Sequence, residues 1–449
     1  MNYAELEMAF HAVDTTSNMM KAAIQRWYDM YYEKEATDES DPCQRIPYTI
    51  VRKLAKTAFS EYSATSKDDF ASSVIRAADS KKQKAMHKAL IGGISGLKPV
   101  PTKDGFRFSV VDRSVMLVFA VDGDGVPVDI GTYEKSTFGR FYYTLLERRT
   151  VGHGGYLTIT NKLYRSQNPG TLGYSVPLTE LPQYAGMMEE YAFQKPVGGV
   201  GIAWLKTPIE NCVDGSADCV SVYAPAVGLI ENINRNEAQM NGEFDRGKSR
   251  IIASADMLEF DETGKRKKLS ADVFTAVDEA PDEVGITIFS PELREQSFLN
   301  RKREYLRNAE TIIGLKRGLL SEVEAEERTA TEVTSSEGDY NLTIIDFQQM
   351  WENALREAVR LCGVLGQLYH IPGAHEVPDD SVVIDWGNGV LFDEEKTWAD
   401  YKDMVASGLL KPEIALGWRF NMPADTPAQQ EKIRKMYMPN LDALEKEAE

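Results

Sequence analysis

The first hundred residues place apolar side chains at helical spacing. In "DTTSNMMKAAIQRWYDMYYEK", Met20, Ile24, Trp27 and Tyr31 share one face, and the hydroxyl residues at 15–17 suit the start of a helix. The spacing recurs in "PYTIVRKLAKTAFSEY", whose proline suits a first turn, and in "DDFASSVIRAADSKKQKAMHKALIGG", which ends at two glycines. The pattern therefore predicts three or four helices at the amino-terminal end.

The pattern changes to alternation with period two near residue 106. Short runs rich in Val, Tyr, Phe and Thr follow one another: "FRFSVV", "VMLVFAV", "VPVDIGTY", "FYYTLLERRTV" and "YLTITNKLY". The turn sequences "DGDG" and "GHGG" separate some of them, so an antiparallel meander is expected over 106–165. A loop-rich stretch follows, with one strand expected in "GVGIAWLK". These elements predict an α+β fold that is predominantly helical.

The stretch "YAPAVGLIENINRNEAQMNGEFDRGKSRII" has only a narrow apolar seam. Ile230, Ile233, Met240 and Phe244 have helical spacing, Glu237 falls on the same stripe, and most other positions are polar. Such a seam suits a helix that packs against neighbouring copies of the chain or a channel, and not one buried in a globule.

A basic run follows this helix, after a strand in "SRIIASADMLEF" and a turn near Gly264. The run consists of Lys265, Arg266, Lys267 and Lys268. Four adjacent positive charges suit contact with phosphate or an acidic partner. A solvated hairpin tip explains them as well, and the sequence alone favours that interpretation.

Two helical patterns in the carboxy-terminal half enclose a charged connection. "PELREQSFLNRKREYLRNAETII" predicts a helix over 291–313 that ends at a glycine. A second helical pattern covers 329–366, although propensity alone would break it at "SSEG". Lys316 and Arg317 lie between two glycines on the connection. Charged side chains on a flexible connection are suited to contact a partner that moves past the chain. An ordinary surface loop explains them equally well.

The chain closes with a small helical module. "LFDEEKTWADYKDMVASGLLKPEIAL" has helical spacing, a glycine that ends one helix, and a proline that begins the next. The pattern predicts a core of Trp398, Met404, Leu409 and Ile414, and the module has no residue that suggests catalysis.

Composition limits the functions that these elements can serve. The length of 449 residues suggests two or three domains. The net charge of the chain is −18. That charge argues against tight, sequence-independent binding of nucleic acid, which depends on Lys and Arg. The chain has no uncharged run of about 18 residues, so no transmembrane helix is expected. The start, "MNYAELEMAF", lacks the apolar region of a signal peptide, so synthesis in a cytoplasm is expected.

The motifs that resemble catalytic or ligand sites are better explained as turns. "LIGGISGLKPV" lacks the G-K-[ST] of a phosphate loop and fits the turn at the end of a helix. "DGDGVPVD" lacks the glutamate that closes a calcium loop and fits a hairpin turn. Neither the cysteines nor the histidines have metal-ligand spacing. The sequence thus predicts no metal, no cofactor and no enzymatic activity.

The order of these segments resembles the portal proteins, or head-to-tail connectors, of tailed double-stranded-DNA bacteriophages, specifically the siphophage type. The resemblance covers most of the chain and depends on the succession of segments, without a signature motif. It implies a wing at 1–220, with a helical part and the antiparallel region, and a stem and clip at 221–280. A wing return at 281–345 then contains the helix 291–313, a tunnel loop at about 314–329 and the start of a spine helix. The end of the spine helix and a crown occupy 346–449. On this resemblance, 329–366 is interpreted as one bent helix.

The resemblance also implies a function and a set of partners. About twelve identical chains would form a ring at one capsid vertex, between head and tail, after assembly in the host cytoplasm. Double-stranded DNA would pass through the ring without sequence specificity during packaging and ejection. The expected protein partners are the major capsid and scaffold proteins, the large terminase and a head-tail adaptor, and no membrane is involved.

Four groups of residues are assigned by this resemblance. The tunnel-loop residues expected to contact DNA are Lys316, Arg317 and Arg328. The basic tip of the clip, expected to contact a partner, is Lys265, Arg266, Lys267 and Lys268. The stem carboxylates expected to face the channel are Glu231, Glu237, Glu243 and Asp245. The crown core is expected to consist of Trp398, Met404, Leu409 and Ile414.

The sequence departs from the portal pattern in one place. A second stem helix should follow the clip, but only the short candidate "LSADVFTAV" is found there. Two alternatives stay open at this point. An adaptor or shell protein of the virion would need a different order of helices and strands, and a nucleic-acid enzyme would need carboxylates that converge on a metal.

Overall fold

The computed structural model describes residues 3–32, 43–123, 125–246, 250–254, 273–276, 287–289, 293–321, 330–387, 394–420, 422–424 and 426–438. The chain divides into two compact units. The first comprises 1–60 and 64–384, and the second comprises 61–63 and 385–449. In the described residues, no helix is long and apolar enough to cross a membrane.

The helices and strands form an α+β fold in which most of the strands follow one another in a single run of the chain. The helices are α1 (Tyr3–Phe10), α2 (Asn18–Tyr32), α3 (Ile46–Ala58), α4 (Asp69–Asp79), α5 (Lys82–Gly92), α6 (Val227–Arg246), α7 (Glu295–Ile313), α8 (Ala330–Leu368), α9 (Glu394–Ala406), α10 (Pro412–Arg419) and α11 (Pro427–Tyr437). The strands are β1 (Ser63–Ser66), β2 (Ile94–Thr102), β3 (Gly105–Asp112), β4 (Met116–Val121), β5 (Pro127–Phe138), β6 (Phe141–Val151), β7 (Tyr156–Ser166), β8 (Tyr174–Val176), β9 (Glu190–Pro196), β10 (Ala203–Lys206), β11 (Arg250–Ser254), β12 (Val273–Ala276), β13 (Thr287–Phe289) and β14 (Val382–Asp385).

The amino-terminal helices form where the apolar spacing predicts them. Ser17 caps α2 by accepting a hydrogen bond from the Met20 amide at 3.1 Å. Ile24 and Trp27 are buried on the predicted face of α2. The predicted pattern after Pro47 becomes α3, and the third pattern divides into α4 and α5.

Four of the five predicted meander strands form an antiparallel sheet with the order β4-β5-β6-β7-β8, in which β9 also pairs with β7. The turn in "DGDG" joins β4 to β5, and there the Asp122 side chain accepts from the Val126 amide at 2.8 Å. The strand predicted in "GVGIAWLK" is β10.

A second sheet corrects the interpretation of "LIGGISGLKPV" as only a turn. Its strand order is β10-β2-β3, so β2 begins directly after the turn and β3 does not belong to the meander. The turn itself needs Gly93, whose φ is 84° and whose added Cβ would lie 2.4 Å from the Cys219 carbonyl oxygen. Since Ile94 to Leu97 are all buried, β2 has no polar alternation that the sequence pattern would reveal.

Helix α8 is continuous through the predicted break, which confirms 329–366 as one helix to within two residues. Its buried stripe contains Ile344, Phe347, Trp351 and Leu355. It packs against α3, α4, β2 and β10. Tertiary packing of this stripe outweighs the weak helix propensity of "SSEG".

The stretch after α6 contains a small three-stranded sheet with the order β12-β11-β13. Strand β11 lies in the predicted strand "SRIIASADMLEF". Strand β12 lies inside "LSADVFTAV" and pairs in parallel with β11, so the interpretation of that segment as a second stem helix is wrong. The β-branched and aromatic residues of "VFTA" favour a strand over a helix. The turn near Gly264 lies outside the described residues.

The second unit is built from α9, α10 and α11. Ala415 and Ile433 are buried between α10 and α11. Glu413 is also buried, and its carboxylate accepts a hydrogen bond from the Arg434 Nε at 2.6 Å. Thr426 begins α11 with a capping box.

Candidate functional site: a charged helical hairpin and the turn after it

Helices α6 and α7 pack against each other as an antiparallel hairpin. As residue numbers rise along α6, the numbers of their partners on α7 fall. Glu237 pairs with Lys302, and Glu243 pairs with Arg294 at the start of α7. A buried polar contact also joins the helices, because the Asn236 side chain donates to the Phe298 carbonyl at 3.0 Å. The helix predicted over 291–313 is therefore the packing partner of α6.

Most of the carboxylates predicted to face a channel are paired with basic groups of the same chain. Glu231 forms an ion pair with Arg26. Oxygens of Glu237 and Glu243 lie 2.7 Å and 2.8 Å from basic nitrogens. Asp245 is exposed near the end of α6. Their place in a channel stays a prediction, but the pairing shows that they carry less uncompensated charge than the sequence suggests.

The basic partners of these acids are not apparent from the local sequence pattern. Arg294 and Lys302 belong to the helical pattern over 291–313, which the resemblance places in the wing return, and Arg26 lies 205 residues from Glu231. The signal in the sequence for Arg294 and Lys302 is their opposite charge to the acids of α6, at positions that match when the two helices run antiparallel.

A compact turn follows α7. Gly314 ends the helix with a φ of 74°, and the Leu315 amide donates to the Glu310 carbonyl at 2.8 Å. The Glu310 side chain is fully buried and accepts hydrogen bonds from the amides of Gly318, Leu320 and Ser321. The chain after the helix is therefore folded back over its last turn.

Lys316 and Arg317 are exposed on this turn. The sequence predicts a flexible connection here, whereas the described part, 314–321, is closed by hydrogen bonds to one buried carboxylate. Arg328 lies outside the described residues, as do Lys265, Arg266, Lys267 and Lys268. The DNA contacts of the tunnel-loop residues and the partner contact of the four clip residues stay predictions.

The crown-core prediction is wrong for two of its four residues in the single chain. Trp398 is partly buried, with the Arg419 guanidinium 5.8 Å from its ring centre, and Ile414 is partly buried. Met404 and Leu409 are 44% and 82% exposed. Gly408 ends α9 with a φ of 75°, and the core lies farther along the chain, between α10 and α11.

The signal for Glu310 in the sequence is weak but present. Ala309 and Ile313 lie on the apolar face of the predicted helix and are buried. Glu310 is adjacent to that face in the last turn, where an acid is unfavourable beside the negative end of the helix dipole. An acid at such a position suits a local hydrogen-bonding role.

Comparison with known proteins identifies the chain as a structural protein of bacteriophage virions, a portal protein. A family model described as "Phage portal protein, SPP1 Gp6-like" matches residues 76–437. The match covers most of the chain, which therefore belongs to this family. The resemblance stated from the sequence is confirmed at the level of the portal family.

The other comparisons add a likeness to solved structures. No curated protein matches the chain. Among solved structures, the chain is similar to one in "Neck of native GTA particle computed with C12 symmetry", with 12% sequence identity and a TM-score of 0.44. The alignment covers 93% of this chain and 98% of that chain.

Proposed function

We propose that about twelve copies of this chain form a ring at one capsid vertex and that the ring conducts double-stranded DNA during packaging and ejection. The observation that carries this proposal is the portal-family match over 76–437. Identical chains close into a ring when two different faces of each chain are complementary and the rotation between copies closes.

The α6–α7 hairpin is the proposed stem, with α7 in place of the second stem helix that the sequence pattern lacked. Its surface is rich in charge, but Glu237 and Glu243 have basic partners within the chain. Duplex DNA carries about one negative charge per ~1.7 Å of its axis, so a strongly basic wall would hold it. A wall of paired charges in an acidic chain repels DNA weakly, over roughly the 8 Å screening length, and lets it slide.

The neighbouring segments receive the remaining proposed roles. The small sheet of β11, β12 and β13 belongs to the clip, which is the docking site for terminase and then for the head-tail adaptor. Lys316 and Arg317 contact passing DNA from the turn after the stem. The carboxy-terminal helical unit is the crown. Capsid and scaffold proteins surround the ring in the virion, which is assembled in the host cytoplasm.

The first experiment is a native mass measurement followed by particle imaging. A species near twelve times 50.3 kDa, seen as a ring with a central hole, supports the proposal. A stable monomer is to be measured again with scaffold protein present, since assembly can require it. A compact dimer without a hole contradicts the proposal.

A further inference from the structure

We propose that Glu310 is a positioning residue that fixes Lys316 and Arg317 for contact with DNA. This inference rests on the proposed function and deepens it. Glu310 lies at the end of α7, is fully buried, and within the described part of the chain has no Lys, Arg or His partner. Its charge is met by hydrogen-bond donors alone, all of them from the turn that carries the two cations.

The donors are three amides and one hydroxyl from three residues of the returning chain. The Ser321 amide donates at 2.9 Å and its hydroxyl at 2.8 Å, the Gly318 amide donates at 3.3 Å, and the Leu320 amide donates to the same carboxylate. A buried carboxylate is very costly without such donors. The arrangement of 314–321 that supplies them is therefore strongly preferred over an open loop.

Two further contacts hold the same turn from outside. Lys53 of α3 donates from its Nζ to the Leu319 carbonyl. Gly314 lies against α8, because an added Cβ there would approach the Thr343 hydroxyl to 2.6 Å. The turn is thus fixed to three helices while Lys316 and Arg317 remain exposed. Both exposed cations are therefore carried on a fixed base, and the shape of that base depends on Glu310.

The experiment is a double-mutant cycle on assembled rings. Glu310→Gln keeps the side-chain shape but replaces one acceptor oxygen with an amide that faces N–H donors. We expect Glu310→Gln to leave ring formation intact and to reduce packaged DNA to the level of the Lys316→Ala/Arg317→Ala variant. Combining all three substitutions should give no further loss of packaged DNA, because the Glu310 change and the double alanine change remove the same contact with DNA. Glu304→Gln, an exposed change on the same helix, is the matched control and should package normally.

Each other outcome has a defined meaning. Normal packaging by Glu310→Gln, with a loss in the double alanine variant, overturns this inference alone. Additive losses also overturn it, because they indicate general damage and not positioning. Normal packaging by the double alanine variant removes the proposed DNA contact and this inference with it. If Glu310→Gln does not fold, Ser321→Ala removes one donor and should give a smaller loss with the same non-additivity.

Discussion

Glu237 of α6 and Lys302 of α7 form an ion pair across the hairpin, with 2.7 Å between Oε2 and Nζ. The side chains are only 16% and 25% exposed, respectively. Lys302 also donates to the Gln44 side chain at 3.1 Å. One lysine therefore ties both hairpin helices to the segment that precedes α3.

Replacing Lys302 with methionine should destabilise the chain. We expect the free energy of unfolding to fall by about 1–3 kcal/mol, because Glu237 keeps a partly buried charge without its partner. Urea denaturation measures the change. Arg294→Ala is the control, since Arg294 is 69% exposed in its pair with Glu243 and its loss should be clearly smaller. Equal losses in the two variants would contradict the argument from burial.

Replacing Lys316 and Arg317 with alanine should reduce DNA packaging several-fold and leave ring assembly intact. Both side chains are exposed and add no apolar burial, so folding should not depend on them. The measurement is the mass of protected DNA per particle. The exposed pair Lys67 and Lys103 provides a control with the same loss of charge when both are changed to alanine. A normal yield from the Lys316/Arg317 variant would remove these residues from the mechanism.

Glu147 should make the stability of the β sheet depend on acid pH. Its burial alone would raise the pKa, but Arg149 at 2.7 Å and Lys98 at 3.0 Å bring the pKa from 4.5 down to about 2. Because the folded pKa lies below the unfolded one, the stabilisation is complete above about pH 4.5 and is lost as the pH falls towards about 2.

The variant Glu147→Gln tests this dependence. At pH 7 it should lose about 3–5 kcal/mol of unfolding free energy, because Arg149 is left buried with its charge unpaired. Its melting temperature should also fall less steeply with acid than that of the natural chain. Glu134→Gln, on the exposed part of β5, is the control. Parallel acid profiles for the Glu147 variant and the natural chain would show that another group dominates.

Trp398→Ala should destabilise the carboxy-terminal unit moderately. Trp398 is partly buried and its ring is covered by Arg419, so a loss of about 1–2 kcal/mol is expected, below the value for a fully buried tryptophan. Calorimetry of the free chain measures it. Leu409→Ala, at a position 82% exposed, should leave the melting temperature unchanged. An unchanged melting temperature for Trp398→Ala would refute its packing role.

Local spacing predicts the elements whose burial is one-sided. The stripe of α8 from Ile344 to Leu355 and the alternation of β7 are both visible in the sequence, because one face is buried and the other is more exposed. Strand β2 lacks such one-sided burial, since its first half is buried on both faces and its second half contains Pro99 and Pro101. The sequence thus resembles a turn where the structure has a central strand.

The candidate site was predictable only in part, because its decisive contacts are not local. Lys316 and Arg317 stand out from their flanking glycines, but the donors that hold Glu310 come from 8 to 11 residues farther along. The pairing of Lys302 with Glu237 joins positions 65 residues apart. Neither relationship has a periodic signature, and both depend on how the chain folds back.

The continuity of α8 has a mechanical consequence. A helix of 39 residues is about 58 Å long, and no proline interrupts it. A rod of that length acts as a lever, because a tilt of about one degree at one end displaces the other end by about 1 Å. A small tilt of α8 where it packs on β10 and β2 therefore displaces its other end, at Ala330, by a distance on the order of 1 Å.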